Sequence, residues 1–208
     1  MTKNPSKLFN LPNWMSLSRI AAVPALVLLL ALGGGSPVIS IISAVLFLLA
    51  SLTDLVDGYL ARRFKLVTNL GRFLDPLADK LLNSAALIML IPLDRAPAWL
   101  VFLIIGREIA VTGLRSIAAS EGIVIGASEL GKRKTLTQNI AIFLLLWHFP
   151  FLGLNFHLIG AVLLWVALIF TYWSGAAYFA KFYQVFKAEA ERKILDNPES
   201  THNNKNLN

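Results

Sequence analysis

The chain contains no cysteine, which excludes disulfide bonds and thiolate metal sites and is compatible with a reducing cytoplasmic face. Charge is also scarce in places where a random scatter of 19 Lys and Arg would put some, because the segments 33–37 and 149–155 carry neither. Only three histidines are present, and His148, His157 and His202 receive no chemical role. What is abundant is apolar surface: 56% of the 208 residues are hydrophobic and the mean hydropathy is +0.65. Soluble domains average roughly 45–50% apolar residues, so a water-soluble core is the wrong picture.

Six apolar stretches run at approximately 14–32, 37–61, 73–93, 97–118, 135–151 and 155–186. Each approaches the roughly 20 helical residues that cross a hydrocarbon layer about 30 Å thick. The expected fold is an all-α integral membrane protein with six transmembrane helices and a short amino-terminal interfacial segment. No internal repeat interrupts it. Residues 1–187 form the expected membrane domain, and 188–208 a cytoplasmic tail that begins as a helical extension and frays into disorder. Residues 1–35 imitate a signal peptide but are read as the first span.

Charge placement supplies the orientation, because Lys and Arg accumulate in short cytoplasmic loops. With the amino terminus inside, Arg95 is the only one of 19 basic residues expected outside. Both termini and the loops at about 62–72 and 119–134 then face the cytoplasm, the bacterial inner membrane being the expected location. The formal charge of +7 reads as topology plus attraction to anionic lipid heads. Nucleic-acid binding does not fit, since the charges are split among membrane-flanking segments instead of forming one stripe.

The segment 51–80, SLTDLVDGYLARRFKLVTNLGRFLDPLADK, sets four aspartates beside two membrane helices. Near a helix centre each costs roughly 2.5–3.5 kcal/mol on insertion, so cations or water must compensate them. Asp54 and Asp57 are three apart, and Asp75 and Asp79 four apart, spacings that place each pair on one helical face. A hairpin turning on the cytoplasmic side brings the pairs together as an oxygen-only cluster suited to Mg²⁺ or Mn²⁺, with two ions offsetting four negative charges. Helix caps and salt bridges to Arg62, Arg63, Arg72 and Lys80 are the alternative. Gly58, Ala61 and Gly71 admit a ligand close to the backbone or permit close helix packing. Arg62 offers a planar donor fork suited to a diphosphate. Pro76 either kinks the third helix or marks its first turn.

Together Asp54, Asp57, Gly58, Ala61, Arg62, Gly71, Asp75 and Asp79 reproduce the DxxDGxxAR(x8)GxxxDxxxD signature, eight specified residues over 26 positions without a departure. By these residues the chain resembles the CDP-alcohol phosphatidyltransferases. The resemblance implies six membrane helices, a cytoplasm-facing metal site, a homodimer, and displacement of CMP from CDP-diacylglycerol by an alcohol. It further implies that Asn13, Ser16, Arg19 and Thr68 join Gly58, Ala61, Arg62 and Gly71 in holding the CDP moiety. Ser16 stands where many relatives have threonine, which keeps the hydroxyl. The same resemblance points to Asp79 as the general base as well as a metal neighbour.

The acceptor half must lie elsewhere, and residues 106–138 are the candidate. Arg107 and Arg115 are eight apart, hence about 80° apart around a helix, and can reach one cavity. Intramembrane Arg is a functional-site hypothesis by default. With Lys132 and Lys134 they would select an anionic acceptor, most simply an alcohol bearing a phosphate. Alternatively Glu108 neutralises Arg107, and the run Lys132, Arg133, Lys134 is only a topology signal. The pattern GREI…GLR…AS.LGK.KT.Q is similar to that of the phosphatidylglycerophosphate synthase branch of the family, which implies glycerol 3-phosphate as acceptor. Serine, inositol phosphate or phosphatidylglycerol are the acceptors of other branches. A cation transporter or a membrane scaffold are rivals from other classes.

Overall fold

The computed structural model describes residues 11–63, 69–120 and 129–196, with side chains described except at 11–13, 15, 54–63, 69–73, 129–130 and 188–196. Six helices follow in order: α1 (Leu11–Gly33), α2 (Pro37–Arg63), α3 (Asn69–Leu90), α4 (Ala98–Ser120), α5 (Glu129–Trp147) and α6 (Phe156–Asp196). No strand occurs among the described residues. Their boundaries follow local chemistry. Ser36 precedes Pro37, whose missing N–H costs nothing at a first helical position, and its carbonyl accepts the Ser40 N–H at 3.0 Å. Asn155 caps α6, its Oδ1 accepting the Leu158 N–H at 3.1 Å. Pro76 lies well inside α3, which settles its place: it leaves the carbonyl four residues earlier without a helical partner.

The start of α5 differs from the sequence expectation, while the end of α6 carries the expected helical extension. α5 begins at Glu129, so Lys132, Arg133 and Lys134 stand in its first turns instead of in a loop. α6 continues to Asp196, about 60 Å at 1.5 Å per residue, twice the hydrocarbon thickness.

Two helical stretches, Ser16–Gly33 and Phe156–Lys187, are long and apolar enough to cross a membrane, and Pro37–Thr53 is a shorter apolar stretch. Every 18-residue window of α3, α4 and α5 contains at least three charged residues. Those charges gather in the first part of α3, the middle and later part of α4 and the start of α5, toward one end of the bundle. Only 22% of the Ser16–Gly33 window and 28% of the Phe156–Lys187 window is buried, unlike the core helix of a soluble protein. Leu28, Leu49, Phe102, Ile109, Ile169 and Trp173 are all more than half exposed, a surface suited to lipid and unsuited to water.

The core joins all six helices, with Leu26 and Leu30, Phe47, Leu82 and Leu87, Leu100 and Ile104, Ile142 and Leu145, and Leu164 among its buried residues. α5 lies along α6, α1 against α2 and α3, and α4 against α6. At the end away from the charged cluster, Arg95 is 5% exposed. It donates through Nη1 to the carbonyls of Leu145 (3.4 Å) and Leu146 (3.0 Å), and through Nη2 to the Gly34 carbonyl (2.7 Å) and Ser40 Oγ (3.0 Å). Gly34 must be small here, because a Cβ would stand 2.6 Å from the Leu30 carbonyl oxygen.

Candidate functional site

A cavity of about 900 Å³ opens between α2, α3, α4, α5 and α6. Five of the sequence-predicted residues line it together: Asp79 from α3, Arg107 and Arg115 from α4, Lys132 and Lys134 from α5. The eight-residue spacing of the two arginines therefore does bring them to one space. Lys80 adds a fifth basic group, against the two carboxylates of Asp79 and Glu108. Phe47, Leu52, Ile140 and Phe143 contribute an apolar part of the lining. The cavity thus joins a predominantly basic part to an apolar part.

Four of the five basic side chains are held by named partners: Arg107, Arg115, Lys134 and Lys80. Arg107 Nη2 donates to Ser174 Oγ at 2.7 Å, and α6 can pass this close because residue 175 is glycine, where a Cβ would lie 3.1 Å from Arg107 Nε. The Arg115 guanidinium sits over the Tyr178 ring, 5.2 Å from its centroid, within cation–π range. Glu108 is shared. Lys134 Nζ is its closest cation, Lys80 Nζ stands 3.4 Å away and Arg107 Nη1 3.9 Å away. Lys80 also donates to Thr112 Oγ1, whose hydroxyl in turn donates to the Glu108 carbonyl at 2.7 Å. Glu108 therefore does not simply neutralise Arg107; it gathers three cations from three helices.

On the carboxylate side, Asp75 and Asp79 stand one turn apart on α3. The Ser16 hydroxyl, fully buried on α1, donates to Asp75 Oδ1, and Asn83 Nδ2 donates to Asp79 Oδ1 at 3.0 Å. Neutral donors thus orient both carboxylates. Arg19, 1% exposed, is buried in the protein and does not line the large cavity. Asp54, Asp57, Gly58, Ala61 and Arg62 fall on the last turns of α2, Gly71 on the first turn of α3 and Asn13 on the first turn of α1, but their side chains lie outside the described residues. Thr68 lies outside them altogether. α2 ends and α3 begins on the same side of the bundle, which puts the two aspartate pairs at one end.

The donor set fits a hard divalent cation in kind: Asp75 and Asp79 offer carboxylate oxygens only, held in place by hydroxyl and amide hydrogen bonds. Among the described residues no group of three or more His, Cys, Asp or Glu is gathered to hold a metal, and the side chains of Asp54 and Asp57 lie outside those residues. Sequence reasoning missed Thr112, Ser174, Tyr178 and Asn83 as members of this site. Lys80 directly follows Asp79, a signal that was available; Ser174 and Tyr178 come from a helix remote in sequence and carried none.

Comparison with known proteins gives a consistent result. The chain is 50% identical over 191 residues to the CDP-diacylglycerol–glycerol-3-phosphate 3-phosphatidyltransferase of Bacillus subtilis (strain 168), covering 86% of this chain and 98% of that protein. It is 39% identical over 174 residues to the enzyme of the same name from Rickettsia bellii (strain RML369-C), covering 82% and 93%. It is also 40% identical over 156 residues to the cardiolipin synthase (CMP-forming) of Oryza sativa subsp. japonica, covering 68% of this chain and 47% of that one. The family model described as CDP-alcohol phosphatidyltransferase matches residues 9–173, which span the aspartate segment and most of the cavity-lining residues alike, and the chain belongs to that family.

Proposed function

We propose that the protein transfers the phosphatidyl group of CDP-diacylglycerol to sn-glycerol 3-phosphate, giving phosphatidylglycerol phosphate and CMP. The observation that carries the acceptor is the cavity beside Asp79, where Arg107, Arg115, Lys132 and Lys134 converge. A phosphomonoester satisfies such a cluster, whereas serine or another acceptor without a phosphate leaves its excess of positive charge unmatched. The names of the Bacillus and Rickettsia relatives support the same acceptor over nearly their whole lengths.

The chemistry follows from the placement of Asp79 on the cavity wall. The acceptor hydroxyl oxygen attacks the phosphorus esterified to diacylglycerol, and its proton passes to the Asp79 carboxylate. The bond from that phosphorus to the CMP oxygen breaks, and its electron pair leaves with CMP. Asp54, Asp57, Asp75 and Asp79 would hold two Mg²⁺ or Mn²⁺ ions, which would neutralise charge on the diphosphate and the departing CMP. Asn13, Ser16, Arg19, Gly58, Ala61, Arg62, Thr68 and Gly71 hold the CDP moiety, and Arg107, Arg115, Lys132 and Lys134 bind the acceptor phosphate. All six helices cross the membrane with both termini and the site on the cytoplasmic side of the bacterial inner membrane, and two copies form the working unit. A cation path would need polar groups at several depths. Leu26, Leu30, Leu87, Ile104, Ile142 and Leu145 instead fill the core beyond the cavity.

The test offers purified protein CDP-diacylglycerol and Mg²⁺ with glycerol 3-phosphate, serine, inositol phosphate or phosphatidylglycerol in parallel. CMP release with glycerol 3-phosphate alone is expected; faster release with another member of the set reassigns the acceptor.

A further inference from the structure

A second chamber of about 30 Å³, sharing Asp79, Glu108, Lys134 and Thr135 with the large cavity, is lined also by Asn83 and Gln138 among others. Asn83 and Gln138 are 6% and 4% exposed. The bond from Asn83 Nδ2 to Asp79 Oδ1 at 3.0 Å fixes which way the amide points, so its Oδ1 is turned from the carboxylate. That oxygen and Gln138 Oε1 are both buried acceptors without a protein donor. Two such acceptors cost free energy unless something donates to them, and neither can donate to the other through oxygen. A polar chamber of this size exceeds the roughly 10–15 Å³ that one water needs.

We propose that Asn83 and Gln138 are positioning residues for Asp79, joined by a water that donates one hydrogen to Asn83 Oδ1 and the other to Gln138 Oε1. The water locks the Asn83 amide, and the amide holds the Asp79 carboxylate plane toward the large cavity. This inference rests on Asp79 being the base. A carboxylate turns readily about its terminal torsion, where the preference is broad, so a side chain that must meet an incoming hydroxyl needs an external hold. A neutral amide supplies that hold without placing another charge among Lys80, Lys134 and Glu108. The bond between residues 79 and 83 alone is an ordinary one-turn helix pair. The buried Gln138 from a different helix, with its unpartnered oxygen on the same chamber, is what makes it a device.

The experiment compares Asn83→Ala, Asn83→Gln, Gln138→Leu and the double variant Asn83→Ala/Gln138→Leu with Asp79→Asn, each purified and assayed at saturating Mg²⁺. Loss of a hydrogen bond to a charged group predicts a kcat about tenfold to a hundredfold lower in Asn83→Ala, with KM for either substrate changed by no more than about twofold. Asn83→Gln, which still reaches a carboxylate one turn back, restores most of the rate. Gln138→Leu lowers kcat more mildly, and the double variant is no slower than Asn83→Ala, because both changes remove the same hold. Wild-type kcat in Asn83→Ala beside an inactive Asp79→Asn overturns the inference and leaves the base assignment standing. Near-normal turnover in Asp79→Asn overturns the base assignment and the inference with it. Multiplying effects in the double variant overturn the shared water. If Asn83→Ala does not fold, a Gln138→Leu variant with unaltered kcat overturns it equally.

Discussion

Replacing Arg95 by Met tests whether the end of the bundle away from the cavity is fastened by one side chain. Leu145 and Leu146 lie in the last turn of α5, whose carbonyls have no helical partner and carry the negative end of the helix dipole. Arg95 covers both, and it also reaches Gly34 and Ser40 at the junction of α1 and α2. Three of its four hydrogen bonds are 3.0 Å or shorter. Hydrogen bonds to charged groups contribute about 1.5–3 kcal/mol each, while Met removes the desolvation cost of a buried guanidinium, so the net loss is about 3 kcal/mol. For a chain of this size that corresponds to a fall in Tm of roughly 6–12 °C. Thermal unfolding in detergent micelles, followed by circular dichroism, reads it directly. Arg95→Lys keeps the charge without the fork and should fall between the two. Below the transition, KM for both substrates should match the wild type, because the clamp holds the helix ends opposite the cavity. A Tm within about 2 °C of the wild type would refute the reasoning.

Asp79→Asn should abolish most turnover while CDP-diacylglycerol still binds, whereas Asp57→Asn should weaken donor binding as well; a titration of donor binding beside turnover separates the two roles. Chelation of divalent ions should stop CMP release, with Mg²⁺ or Mn²⁺ restoring it, and full activity in excess chelator would contradict the oxygen-ligand cluster. Because the chain has no cysteine, single cysteines at Gly35 and Leu154 are unique labels, and Gly35 has open space where Gly34 does not. Both should react with an impermeant thiol reagent from outside in intact cells, and protection of both would invert the topology.

The six helices were legible because apolar runs of membrane length are separated by short segments rich in Gly, Pro or charge. The start of α5 was not, since Lys132, Arg133 and Lys134 read as loop until their helical neighbours are seen. Arg95 shows the limit more sharply. By sequence it is a lone basic residue on the outer side, and three of its four partners are carbonyls 50 to 61 residues away, which carry no residue identity to recognise. Arg107 and Arg115 could be joined because their spacing is a property of one helix. Ser174, Tyr178 and Gln138 come from other helices, and only the packing of α4 and α5 against α6 brings them in. Glu108 was visible, but its sharing among Lys80, Arg107 and Lys134 depends on three helices at once.

The cavity's assignment to the acceptor is tested most directly by steady-state kinetics of Arg107→Ala and Arg115→Ala with both substrates varied. Each variant removes one cation from the wall beside Asp79, and loss of a charge-assisted contact predicts a KM for glycerol 3-phosphate about tenfold to a hundredfold higher. KM for CDP-diacylglycerol should stay within about twofold of the wild type. A raised KM for CDP-diacylglycerol with that for glycerol 3-phosphate unchanged would contradict the account and move these arginines to the donor.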